Sequence, residues 1–235
     1  MYSERNERVS VIIAAAGKGT RMGLDQNKQY IDILGKPLLA RTIQVFADCT
    51  VIDEIVVVAN EEEVGYCREN ITDRYGFGKV RCIVSGGSTR QQSVFNGLMS
   101  VSPDCGIVLI HDGARPFIDE DSIMACISAA AQSGAAIAAV PVKDTIKRGG
   151  ADGFVDETVD RSSLWSIQTP QAFRYPLIVQ AHRRAVEEGF DGTDDAVLVE
   201  RQDMKVQLVQ SSYYNIKITT REDLAIAVAI AGLGR

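Results

Sequence analysis

Five short β-branched or apolar runs, nearly continuous in hydrophobicity, Val9–Ala14, Ile55–Ala59, Val80–Val84, Ile107–Ile110 and Ala135–Val142, recur between longer stretches of helical periodicity. A strand with one wet face alternates apolar and polar residues, so runs without alternation predict strands buried on both faces. A mainly parallel sheet covered by helices on each side meets that condition, and the expected fold class is α/β. Helices are predicted at Leu38–Asp48, Glu61–Tyr75, Thr89–Ser100, Asp119–Ser133, Pro176–Glu188, Thr193–Glu200 and Arg221–Ala231, several opening on Asp, Thr or Pro.

The chain has 235 residues, 46% hydrophobic, enough for one large domain or one domain with an inserted lobe. The pattern breaks between Lys143 and Gln171, a polar, Gly-containing stretch that also carries the only tryptophan. It is too long for an ordinary connection and reads as a functional insertion or a protruding arm. A formal net charge of -6 argues against nucleic acid as the main partner but leaves room for a small anion at a local basic cluster. Five cysteines without a CxxC pair read as buried thiols in a reducing compartment. The charged N-terminus has no apolar core and the apolar tail Leu224–Leu233 is too short for a bilayer, so a soluble, cytoplasmic protein is expected, with no membrane anchor.

Ligands of open α/β sheets bind beyond the carboxyl ends of the strands, and "AAAGKGTRMG", Ala14 to Gly23, follows the first run there. The third glycine comes one place late for the dinucleotide G-x-G-x-x-G spacing, which argues against an NAD-dependent oxidoreductase. The GK[ST] ending of a P-loop is missing too. Ala14, Ala15, Ala16 and Gly17 let backbone groups approach a flat ligand, while Lys18, Arg21 and then Lys28 of "NKQY" can meet phosphates. A turn with solvated basic residues accounts for the glycines alone equally well.

Two further strand ends carry polar residues. "GGSTRQQSV" offers amides at Gly86 and Gly87, charge at Arg90 and a hydroxyl at Ser93, though Gly-Gly-Ser is also an ordinary helix entry. "HDGARPF" places Asp112 where a carboxylate can bind the Mg²⁺ of a nucleoside triphosphate, with Arg115 three residues on; an isolated Asp-Gly is otherwise a common turn. His111 reads as structural. His182 reads as a distant helix-surface residue, which leaves His111 without a second ligand or orienting partner, and no zinc site is expected.

Together, "AAAGKGTRMG", "NKQY", "GGSTRQQSV", "HDGARPF", "VKDTIK", "TVDRSSLW", "QTPQAF", "TDDA" and "NIKIT" closely resemble the 2-C-methyl-D-erythritol 4-phosphate cytidylyltransferases of the non-mevalonate isoprenoid pathway, in order from about Val9 to Leu224. The resemblance implies a Rossmann-like nucleotidyltransferase fold of the GT-A-like kind. It makes residues 1–235 a single cytidylyltransferase domain and 143–171 an inserted arm that builds a homodimer. It also implies transfer of CMP from CTP to methylerythritol phosphate with release of pyrophosphate, using Mg²⁺ or another divalent cation in its place.

Carried over by position, Ala14, Ala15, Ala16, Gly17, Gly87 and Ser93 would hold the cytidine half, Arg21 and Lys28 the triphosphate, and Lys217 the region of the α-phosphate. Asp112 would act with the metal. Arg115, Thr145, Arg161 and Thr193 would bind methylerythritol phosphate, Thr145 and Arg161 from the other subunit's arm. Read by themselves, Thr145 and Thr193 are equally caps or strand residues, and Arg161 a surface charge. Asn27 stands where a proline often precedes the lysine, and Gly113 where many members have alanine. A chain of this length leaves no expectation of the cyclodiphosphate synthase domain fused to some relatives. A cytidylyltransferase for another polyol phosphate, such as ribitol 5-phosphate, is the neighbouring alternative, and a non-catalytic nucleotide-binding module a more distant one.

Overall fold

The computed structural model describes residues 7–17 and 27–234. Arg21 lies outside the described residues. The central sheet has seven strands: β1 (Arg8–Ala14), β4 (Glu54–Ala59), β5 (Val80–Ser85), β6 (Cys105–Asp112), β7 (Ala135–Pro141), β10 (Trp165–Arg174) and β11 (Gln207–Gln210). They lie in the order β11-β7-β10-β6-β1-β4-β5. All run parallel except β10, which pairs antiparallel with both β6 and β7.

Alternate residues of β1 explain why its run is nearly all apolar. Val11 and Ile13 pack with Leu39, Ile43 and Phe46 of α1 (Leu38–Asp48) and Ile123 and Ile127 of α4 (Glu120–Ser133). Ile12, between them, packs with Val94 and Leu98 of α3 (Arg90–Leu98) and Ile178 of α5 (Tyr175–Glu187). Both faces are therefore dry. A third cluster joins Ile33 and Leu38 to Ala227 and Ile230 of α7 (Arg221–Gly232), beside the small hairpin of β2 (Asp32–Ile33) and β3 (Lys36–Pro37). No helix of the described residues is long and apolar enough to cross a membrane. The five cysteines are free.

The secondary structure differs from the sequence reading in four places. The helix expected at Glu61–Tyr75 is a 3-10 turn, Glu61–Glu63, one α turn, α2 (Val64–Cys67), and a π turn, Arg68–Asp73, where the Thr72 hydroxyl donates to the carbonyl of Arg68 and competes with the regular ladder. Only Ala196–Glu200 of the expected Thr193–Glu200 is helical (α6), because Asp194 caps the N–H of Val197 and leaves Thr193 outside. The short edge strand β11 has too few residues to show a pattern. Finally, Lys143–Gln171 divides. Its first part forms a hairpin, β8 (Ile146–Gly149) with β9 (Val155–Val159), in which every residue from Lys143 to Asp160 except Gly150 and Val159 is exposed. Its last part begins β10, inside the central sheet, with Pro170 at a break in the pairing register where no ladder N–H is needed.

Gly97 lets α3 lie close on the sheet: a Cβ there would come 2.7 Å from Cγ2 of Ile12 and 3.0 Å from Cγ2 of Val58. Alanine in a helix ordinarily gains roughly 0.5–1 kcal/mol over glycine. Overpacking a dry core costs about 1–3 kcal/mol. Gly97→Ala is therefore expected to lower the urea midpoint, and an unchanged or raised midpoint would contradict this packing.

Candidate active site

The carboxyl ends of β1, β4, β5 and β6 open on one cleft of about 860 Å³. The backbone continues the ladder past the strand ends. Ala15 N–H donates to Val58 O at 2.8 Å, Gly86 N–H to Ala59 O at 2.8 Å and Gly113 N–H to Ala14 O at 2.9 Å. Gly86 is required by this closeness, since a Cβ would fall 2.4 Å from that of Ala16 and 2.9 Å from Ser93 Oγ. Ser93 shapes the same corner, its hydroxyl donating to Thr89 O at 2.8 Å and accepting from Gly87 N–H at 3.0 Å. The result is a wall of small side chains and backbone groups that a flat base can approach.

The cleft floor is a charge cluster centred on Asp112, the last residue of β6. Its carboxylate meets Lys217 Nζ at 2.9 Å, Arg115 Nε at 3.4 Å and Arg90 Nε at 3.9 Å. Burial would raise this carboxyl, but Lys217, Arg90 and Arg115 outweigh it and hold Asp112 well below the usual carboxylate range. Arg90 is itself held by Asp195, with Nη2 at 2.7 Å from Oδ2. Asp195 also meets His182 Nε2 at 3.2 Å. His182 is thus not on the helix surface: it is fully buried on the inner face of α5, stacked on Phe95 with ring centroids 5.8 Å apart. The helix turns it inward because the apolar positions flanking it, Ile178, Ala181 and Ala185, face the core.

His111 is structural. Thr169 Oγ1 accepts the N–H of Asp112 at 3.0 Å, so its own proton goes to His111 Nδ1 at 3.1 Å, and the ring donates from Nε2 to Arg115 O at 2.9 Å. Burial lowers the imidazole to about 4, which leaves it neutral at physiological pH.

Lys28 lines the cleft from a 3-10 turn, Lys28–Tyr30, and donates to Ile218 O at 3.2 Å. Ala14, Ala16, Gly17, Lys28, Gly87, Ser93, Asp112 and Lys217 thus come together on one cleft from five segments of chain. Ala15 is buried behind its neighbours. Arg115 is only 11% exposed, its Nε on Asp112 and its Nη1 donating to Asn215 O at 2.7 Å. Thr145, Arg161 and Thr193 are exposed and do not line the cleft of this chain; the Arg161 guanidinium donates to Lys143 O at the root of the hairpin.

Sequence reasoning passed over the residues that hold this arrangement. Gln171 accepts the N–H groups of Asp195 and Ala196 and donates to Asp194. Asn215, fully buried, donates to Gln168 Oε1 and Thr169 O, both at 2.9 Å, and so fixes the segment that ends in Lys217. Both lie in quoted motifs, "QTPQAF" and "NIKIT", but their partners lie 23 to 47 residues away in sequence. Among the described residues no group of three His, Cys, Asp or Glu side chains could cage a metal. Asp112 nevertheless suits a hard cation that arrives with phosphates, because Lys217 and Arg115 occupy Oδ2 while Oδ1 has only Arg90, at 3.9 Å.

A site whose described residues offer amides and cations suits phosphoryl chemistry, in which the protein neutralises and positions charge. On this sheet it marks the nucleotidyltransferase class. The sequence model of the 2-C-methyl-D-erythritol 4-phosphate cytidylyltransferases matches residues 9–232, and the chain belongs to that family. A relative of that name from Caldanaerobacter subterraneus subsp. tengcongensis is 53% identical over 93% of this chain and 96% of its own. One from Alkaliphilus oremlandii is 50% identical over 97% and 96%. A crystal structure of 4-diphosphocytidyl-2C-methyl-D-erythritol synthase from Anaerococcus prevotii superimposes with a TM-score of 0.85 at 37% identity, covering 98% of this chain and 97% of that one.

Asp112→Asn is expected to leave Lys217, Arg115 and Arg90 uncompensated and to destabilise the fold. Breaking a buried pair costs about 3–5 kcal/mol, and the low end applies because Lys217 and Arg90 keep about a third of their surface in water. The folded carboxyl lies below its unfolded value, so its stabilisation is present above about pH 4 and lost in stronger acid. Urea titrations of both proteins at pH 7 check this; equal midpoints would contradict the cluster's role.

Proposed function

We propose that this protein transfers CMP from CTP to 2-C-methyl-D-erythritol 4-phosphate, giving 4-diphosphocytidyl-2-C-methyl-D-erythritol and pyrophosphate in isoprenoid precursor synthesis. The observation that carries the reading is the cleft itself, a backbone-lined wall beside a floor of cations gathered on Asp112, in a chain of this family. The cytidine half lies against Ala14 to Gly17, Gly87 and Ser93. Ala16 N–H and C=O and Gly17 N–H have no partner among the described residues, and they offer donors and an acceptor to the base edge.

An oxygen of the methylerythritol phosphate attacks the α-phosphorus of CTP in line; the new P–O bond forms as the bond to the bridging oxygen breaks and pyrophosphate leaves. A phosphate monoester is anionic at neutral pH, so the attack needs no strong base, in keeping with a neutral His111. Lys28 and Arg21 hold the triphosphate and the charge that grows on the leaving group. Lys217 stands at the α-phosphate, positioned by Asp112 and by the bonds of Asn215. Asp112 would hold Mg²⁺ together with the phosphates, and the ion would supply further neutralisation when bound.

Arg115, Thr193, Thr145 and Arg161 receive the second substrate, the last two from the hairpin of a second subunit in a homodimer. Support for that arrangement is the exposure of Phe154, Val155 and Ile146 on the hairpin, at 74%, 61% and 36%, and the absence of Thr145 and Arg161 from the cleft of their own chain. The reading includes a cytoplasmic location.

Pyrophosphate release from CTP and Mg²⁺ with methylerythritol 4-phosphate, and in parallel with ribitol 5-phosphate, tests the function. The first substrate is expected to be preferred; preference for ribitol phosphate or silence with both would overturn it. Lys28→Ala is expected to lower turnover by orders of magnitude while the protein stays folded, since one preorganised donor is worth about 2.7–4 kcal/mol in the transition state. Near-normal turnover would refute that role. Mixing Lys28→Ala with Arg161→Ala protein tests the second subunit: random pairing in a two-fold dimer restores about a quarter of the sites if Arg161 serves its neighbour. No recovery on mixing would place Arg161 in its own subunit's site or outside any site.

A further inference from the structure

Gln29 follows the cleft lysine, is 2% exposed, and lines the cleft. One end of its carboxamide lies 2.6 Å from Ala15 O and 2.8 Å from Gly17 O. Two carbonyl oxygens can only be met by the NH₂ end, so the network fixes the amide's orientation and leaves Oε1 at the other end. That oxygen is buried and has no partner among the described residues. A buried acceptor left bare is costly, and an acceptor on the wall of a binding cleft that lacks a donor is made good by a ligand that brings one.

The side chain is aimed by its neighbours. Asn27 Nδ2 donates to both carboxylate oxygens of Glu63 at 3.0 Å, and Tyr30 packs edge-on against Tyr66 with ring centroids 4.7 Å apart. These contacts pin the turn Lys28–Tyr30 on either side, which sends Lys28 along the cleft wall and Gln29 under the backbone after β1. Gln29 thereby ties residues 15 and 17, on the near side of residues 18–26, to the chain that resumes at Asn27.

We propose that Gln29 is a nucleotide-binding residue in addition to those named above. Its NH₂ holds the carbonyls of Ala15 and Gly17 in the register that presents the Ala16 and Gly17 backbone to the base, and its Oε1 accepts a hydrogen bond from a donor on the nucleoside, the 4-amino group or a ribose hydroxyl. This rests on the reading of the cleft as a CTP site. It predicts a residue that serves the nucleoside end and leaves the phosphate end and the second substrate alone.

The test compares Gln29→Met, which keeps length and volume without hydrogen bonds, and Gln29→Glu, which keeps an acceptor but turns an oxygen toward the two carbonyls. Both are measured by calorimetry against CTP, UTP, 2′-deoxy-CTP, 3′-deoxy-CTP and pyrophosphate, alongside thermal melting. In both variants CTP is expected to bind at least tenfold more weakly, with pyrophosphate affinity and the KM for methylerythritol phosphate within twofold and melting still cooperative. In the Met variant the penalty shrinks for the analogue that lacks or alters the donor. CTP binding within twofold of the unsubstituted protein, an equal loss for CTP and pyrophosphate, or one penalty for every nucleotide would overturn the proposal. Turnover by the unsubstituted protein tests the function separately, because the CTP affinities are read without it.

Discussion

The cleft depends on one carboxylate. Lys217, Arg115 and Arg90 come from different segments and repel one another, and Asp112 is the charge within 4 Å of all three. Asp112 can sit there ionised because it ends a strand buried on both faces, where dry surroundings strengthen its attraction for the cations more than they penalise its own charge. Asp195 takes a second share of Arg90. Three cations against two carboxylates leave a local positive surplus in a chain whose net charge is -6, which is the balance a site for anionic substrates requires.

The strand β10 supports this arrangement from below. Most of the sheet is apolar, yet β10 carries Gln168, Thr169 and Gln171, all buried. Each has a task in the layer beneath the cleft: Gln168 holds Asn215 and the carbonyl of Ser212, Thr169 braces Asp112 and His111, and Gln171 organises Asp194, Asp195 and Ala196. Buried polar side chains of this kind are tolerated because nearly every polar atom is paired, and a paired network fixes the geometry above it more tightly than an apolar layer does.

The same fact explains what the sequence revealed and what it hid. Parallel strands and their strand-end segments were legible because their signals are local: nearly continuous apolar runs for β1, β4 and β6, and small or charged residues at strand ends, Ala14–Gly17 after β1, Gly87 after β5 and Asp112 at the end of β6. β10 was hidden because its polar residues look like loop chemistry until their partners are known, so it was read as part of Lys143–Gln171. His182 was misplaced for the same reason, its partner Asp195 being on another element thirteen residues on. Gln29 sat inside a motif noticed for its lysine, while its own acceptors lie 12 and 14 residues back in sequence. What pattern reading finds is periodicity and adjacency; bonds between distant segments need coordinates.

The most direct measurement is a crystal structure of the protein grown with CTP and Mg²⁺. The account predicts the cytosine against the backbone of Ala14 to Gly17, with the triphosphate running toward Lys28 and the α-phosphate beside Lys217 and Asp112. A nucleotide bound elsewhere on the sheet, or one in the cleft with its phosphates turned away from Lys28 and Lys217, would contradict it.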